Sequence, residues 1–183
     1  MIIVALVIVF GLSILINKIF FNYNQQNLSE ISITDRKTWK TYVSANFMCE
    51  IQYPSNIFEP KRNEALGREM SGLLQLIPIN DKLKNTNFQF IVFHPVEEPT
   101  LEEYLQKNAK TKNWKSVRIA GYSGYKMEFE TPSEYSMKRF YIKAYIKKDN
   151  NIYEFTLTSR DKNLWTTKNE LFNQMLSTFR FFK

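Results

Sequence analysis

The sequence predicts an α+β fold: a largely antiparallel sheet with helices packed on it, preceded by one transmembrane helix. Three observations predict it. The chain opens on a long apolar run. Seven strand-like segments rich in aromatic and β-branched residues follow, and helical periodicity appears clearly at two places.

The opening stretch, MIIVALVIVFGLSILINKIFF, decides where the other residues live. From Ile2 to Ile16 only Gly11 and Ser13 are not apolar. About 20 helical residues span ~30 Å, the thickness of a hydrocarbon core. Lys18 lies near one end, where its stem can carry the ammonium to the headgroups. A soluble core helix would carry a polar stripe, and this run has none. No basic residue precedes the run and no small-x-small cleavage pattern follows it, so an uncleaved single-pass signal anchor over residues 1–21 is expected. Asn22 to Lys37 is polar with little periodicity and reads as a tether. Residues 38–183 then form one domain, large enough to need neither disulfide nor metal for stability.

The strand-like runs are 46–53, 71–77, 87–93, 115–121, 124–130, 138–147 and 151–159. Several alternate with period two. In KRFYIKAYIK one face carries Phe140, Ile142, Ala144 and Ile146, the other Tyr141, Lys143, Tyr145 and Lys147. KKDNN between the last two runs is a hairpin signal, because Asp149 and Asn150 tolerate turn dihedrals. The first helix starts in TLEEYLQKNA, where Thr100 and Glu103 have capping-box spacing after Pro99. The second covers 163–179, with Leu164, Leu171, Met175 and Phe179 on one side. FRFF (179–182) is a closing edge strand, and a short turn is expected around Trp39 and Tyr42.

Several stretches together resemble a known family. They are Tyr53-Pro54 in IQYPSNIF, the helix start TLEEYLQ, IAGYSGYKMEFE, NIYEFTLTSR and the closing LFNQMLSTFRF. In order and spacing these resemble the PsbP-like domain, the fold of the photosystem II extrinsic P subunit and its bacterial relatives. The resemblance covers roughly residues 40–183. It departs from the family pattern at Ile57-Phe58, where Trp is common, and at Thr178, which sits between Ser177 and Phe179. It implies an αβα sandwich around a central antiparallel sheet. It also implies an extrinsic accessory or protein-binding module of the kind that serves as a subunit of a larger membrane assembly, working outside the cytoplasm and not an enzyme. The photosynthetic role does not follow from the fold.

The residues themselves show no catalytic constellation. His94 is the single histidine and has no carboxylate at a recognisable spacing. His94 with Glu97, Glu98, Glu102 and Glu103 is a weak metal candidate, but Glu102 and Glu103 are explained by the first turn of a helix. IAGYSGY lacks the Lys-Ser/Thr of a phosphate loop, and Gly121 and Gly124 read as turn glycines. Cys49, the one cysteine, excludes an intrachain disulfide and reads as a small buried hydrophobe. No catalytic residue, cofactor or metal is therefore expected.

The candidate binding surface is Lys138, Arg139, Tyr141, Lys143, Tyr145 and Lys147, a strip of interleaved aromatic and basic side chains. Against it stands the reading that these tyrosines lie under a helix with lysine stems covering them. Nucleic acid is disfavoured because no RNA-binding motif is present. Lys+Arg outnumber Asp+Glu by 25 to 18, which leaves two orientations open. A large domain translocates largely regardless of charge, so an extracytoplasmic domain is expected. The alternative is a cytoplasmic-facing basic domain that holds an anionic partner at the membrane, with Lys18, Arg36, Lys37 and Lys40 as its topology signal.

Overall fold

The computed structural model describes residues 36–61, 70–79, 83, 85–97, 99–109, 113–131, 138–162 and 165–182. The chain divides into two compact units, residues 1–36 and 37–183, and the account below concerns the second. The expected transmembrane helix over 1–21 and most of the tether lie outside the described residues. Among the described residues no helix is long and apolar enough to cross a membrane.

Among the described residues ten strands and two α-helices follow one another: β1 (Trp39–Ser44), β2 (Cys49–Pro54), β3 (Phe58–Lys61), β4 (Met70–Pro78), β5 (Thr86–Phe93), α1 (Leu101–Asn108), β6 (Trp114–Ile119), β7 (Tyr122–Thr131), β8 (Arg139–Lys148), β9 (Asn151–Ser159), α2 (Trp165–Thr178) and β10 (Arg180–Phe181). They build two sheets. A seven-stranded sheet runs β3-β4-β5-β9-β8-β7-β6, and a three-stranded sheet runs β1-β2-β10. Every recorded pair is antiparallel.

Period-two alternation sorts the long sheet into two faces. On one face Phe88, Phe90, Val92, Ile142, Ala144, Ile146, Tyr153, Phe155 and Leu157 are buried, against Leu171, Phe172 and Met175 of α2. Phe90 stacks on Phe155 at 4.8 Å and meets Phe179 edge-on at 5.4 Å. Phe181 of β10 packs edge-on against Tyr153, so the small sheet lies on this face beside α2. Each large apolar side chain sealed here contributes about 1.5–3 kcal/mol.

On the opposite face α1 buries Leu101 and Leu105 against Met127, Tyr145 and Ile152. The two helices therefore occupy opposite faces, the αβα layering that the resemblance implies. The capping box of α1 is present: Thr100 Oγ1 accepts from the Glu103 amide, and Glu103 accepts from the Thr100 amide at 2.7 Å.

The structure corrects four local expectations. Trp39 and Tyr42 lie in strand β1, not in a turn. The run 46–53 yields β2, which pairs with β1 and β10 and not with the central sheet. β3 is an added edge strand; its Pro60 is tolerated because an edge position has only one neighbour to bond. Gly121, at φ 85°, is a turn glycine as expected, but Gly124 lies within β7. Its role is close approach: a Cβ there would sit 2.2 Å from the Tyr145 carbonyl oxygen.

Candidate functional site

The face that α1 covers is only half covered. α1 lies over the Met127–Tyr145–Ile152 end, and among the described residues no element covers the other end. There β5, β9 and β8 run side by side, and their outward positions are polar. Asn85, Asn87, Gln89, Arg139, Tyr141, Thr158 and Arg160 line an open trough of about 440 Å³. The register puts these residues together. Gln89 stands opposite Thr156, Asn87 opposite Thr158, and Tyr141 opposite Thr158 on its other side.

A charged pair marks the boundary between the covered and open halves. Lys143 Nζ donates to Glu154 Oε1 at 2.7 Å, and Thr156 Oγ1 donates to the same oxygen at 2.6 Å. Glu154 is buried, and the phenols of Tyr145 and Tyr104 are near it. Burial first, and then the Glu154 charge, push the Tyr104 hydroxyl up to about 12. The same causes, in the same order, raise that of Tyr145. Both phenols therefore stay neutral at physiological pH.

From Arg139 to Lys147 the strip read from the sequence is one face of β8, but Lys138 precedes the strand and α1 divides the rest. Tyr145 is buried in the α1 cluster, with the Lys143 ammonium 5.9 Å from its ring centroid. Lys147 Nζ donates to the Pro99 carbonyl at 2.6 Å and holds the segment leading into α1. Lys143 is committed to Glu154, and Lys138 pairs with Glu130 at 2.9 Å on the exposed edge. Arg139 and Tyr141 alone of the six line the trough. Tyr141 is fixed by stacking on Phe129, ring centroids 4.9 Å apart and planes 6° apart.

Asn87, Gln89, Thr158 and Arg160 were not singled out from the sequence. Their signal was present, as polar residues at alternate positions of NFQFIVF and TLTSR. Two neighbouring strands with one polar face each indicate an uncovered sheet surface.

The other candidate groups have structural employment. His94 Nδ1 lies 2.8 Å from Asn151 Oδ1, and its ring stacks on Phe47. Glu103 caps α1, and Glu102 accepts from the Tyr125 hydroxyl, which lowers its pKa. Among the described residues no three His, Cys, Asp or Glu side chains gather as metal ligands. Cys49 is buried, and burial pushes its thiol up to about 12, so it is protonated and unreactive. A second depression, about 950 Å³, runs along α1 between Phe93, Val96, Pro99 and Tyr104. Its charged groups are engaged: Glu103 accepts from the Thr100 amide in the cap, and Lys107 pairs with Glu97 at 3.8 Å.

No protein-family model matches the sequence, and no curated protein does. Solved structures do. The chain is similar to the solution structure of cyanobacterial PsbP (CyanoP) from Synechocystis sp. PCC 6803, with TM-score 0.58 and 12% identity over 79% of this chain and 93% of that one. It is also similar to a crystal structure from Bacteroides thetaiotaomicron VPI-5482, with TM-score 0.55 and 14% identity over 79% of this chain and 48% of that one. The chain thus spans about half the length of the second. The fold is PsbP-like. At these identities the likeness extends to the fold and not to a ligand or a partner.

Proposed function

We propose that the protein is a non-catalytic binding module with a PsbP-like fold, held at a membrane by residues 1–21, with its domain on the extracytoplasmic side. One observation carries the binding assignment: the long sheet is sealed on one face, while half of the other is an open polar trough between β5, β8 and β9. A sheet face with this many unburied polar side chains suits a hydrated, hydrogen-bonding partner. The non-catalytic assignment rests on where the chemistry-bearing side chains are: His94, Cys49 and Glu103 serve packing and capping. The anchor assignment rests on the length and apolarity of the opening stretch.

One labelling experiment tests location and binding together. Thr158→Cys places a thiol in the trough, and the native Cys49 is silent because it is buried. Glu170→Cys places a control thiol on the exposed side of α2. In intact cells or spheroplasts a membrane-impermeant maleimide is expected to label both. Thr158→Cys should react more slowly in cells than in the purified protein, because its partner shields it. Absence of labelling at Glu170→Cys until lysis would favour the cytoplasmic-facing alternative. Equal rates for Thr158→Cys in cells and in purified form would remove the trough as the binding surface.

A further inference from the structure

The trough holds two guanidinium groups, and among the described residues neither has a counter-ion. Arg139 precedes Phe140, Arg160 follows Ser159, and Phe140 and Ser159 are partners in the β8–β9 ladder. The two arginines therefore stand at the same end of adjacent strands, and both line the trough. Among the described residues no carboxylate forms an ion pair with either. Like charges held on neighbouring strands repel and are destabilising unless something neutralises them. Lys138, next to Arg139, shows the contrast: its ammonium is paired with Glu130.

The rest of the lining is uncharged and hydrogen-bonding. Gln89 and Thr158 offer an amide and a hydroxyl. Asn87 also lines the trough, but its Oδ1 is shut off from solvent and, among the described residues, without a hydrogen-bond partner, so that atom is not part of the ligand-facing surface. Tyr141, locked against Phe129, walls one side. Two planar forks beside a row of hydroxyl and amide groups match an oxyanion carried on a hydroxylated body.

We infer that the trough binds a phosphate-bearing polyol, with the phosphate between Arg139 and Arg160 and the hydroxyls at Gln89 and Thr158. This rests on the trough being the binding face. The chemistry is shared by a glycerophosphate lipid headgroup and by a soluble or polymeric polyol phosphate, so both are tested.

The experiment is thermal unfolding of the detergent-solubilised full chain at low ionic strength. The probes are glycerol 3-phosphate, dihexanoyl phosphatidylglycerol below its micelle concentration, glycerol alone, and sodium chloride matched for ionic strength. A saturable rise in Tm with either phosphate probe, absent with glycerol and salt, is expected. Arg139→Gln and Arg160→Gln should each weaken that response at least about tenfold. Without ligand their Tm should be unchanged or higher, because the like-charge repulsion is relieved; residues that merely supported the fold would lower it. A response to the short-chain lipid alone identifies the headgroup as the source, and a response to glycerol 3-phosphate identifies a soluble or polymeric source. No saturable shift with either phosphate probe, a shift reproduced by salt or glycerol, or an undiminished shift in the double variant would overturn the inference. If Thr158→Cys is still shielded in cells after such a result, only the ligand class is wrong and the binding face stands.

Discussion

Lys143 and Glu154 are diagonal neighbours on adjacent strands of the same sheet, with Nζ and Oε1 2.7 Å apart, where the helix-covered half of the face gives way to the open half. The two side chains are unequally buried: 22% of Lys143 is exposed but only 8% of Glu154. Removing either partner therefore has unequal consequences. In Glu154→Leu the ammonium can turn to water. In Lys143→Met a carboxylate stays buried without its counter-charge. Lys143→Met is expected to destabilise the domain by about 3 kcal/mol, and the double variant by less than Lys143→Met alone. Urea denaturation of the four species measures the coupling. Additive effects would show that the pair is not energetically linked.

Lys168 gives a pH dependence. Its Nζ donates to Ser159 Oγ and to the Asp161 carbonyl, and the side chain is buried. Burial lowers its pKa from 10.5 to about 8, only partly offset by the Asp161 charge. Between pH 8 and 10.5 the unfolded chain holds a proton that the folded chain has released, so this group makes stability rise with pH there. Cys49 and Tyr104, both raised to about 12, act with the opposite sign, since the folded chain keeps protons that the unfolded chain loses. Subtracting the stability profile of Lys168→Met from that of the parent isolates the lysine. The difference should move in the parent's favour by roughly 2–3 kcal/mol across that window. A flat difference would contradict a buried, weakly basic Lys168.

The two ordered glycines of the β6–β7 hairpin should respond differently. Gly124→Ala forces a methyl toward the Tyr145 carbonyl and the Ile146 side chain, and β7 must part from β8. A loss of about 3 kcal/mol is expected. Gly121→Ala has open space around it and meets only the left-handed backbone, φ 85°. There about 1 kcal/mol is expected. Equal losses in denaturant midpoints would mean that β7 and β8 are not in the close contact described.

Much of the fold was legible because local chemistry and tertiary contact agree. The Thr100–Glu103 box opens α1, and Asp149, at φ 52°, makes the β8–β9 turn that KKDNN announced. β1 was missed because WKTYVS is an edge strand, mostly exposed, without an apolar face to reveal it. The second sheet was not legible because β2 closes it with β10, and Glu50 meets Arg180 across 130 positions of sequence. The site was half legible. Alternation in β8 put Arg139 and Tyr141 on the right face, but nothing local says that α1 stops over Tyr145. Arg160, Gln89 and Asn87 join them only through the order in which β5, β9 and β8 pair.

The central claim, that the open half of the sheet is where this protein meets its partner, is tested most directly by photo-crosslinking in living cells. A photoreactive residue is placed at Gln89 in the trough and, as a control, at Glu170 on the outer side of α2. The account predicts a discrete adduct from position 89, protein or lipid, that is lost when the trough is blocked by Thr158→Trp and is absent from position 170. Adducts from position 170 with none from position 89 would contradict it.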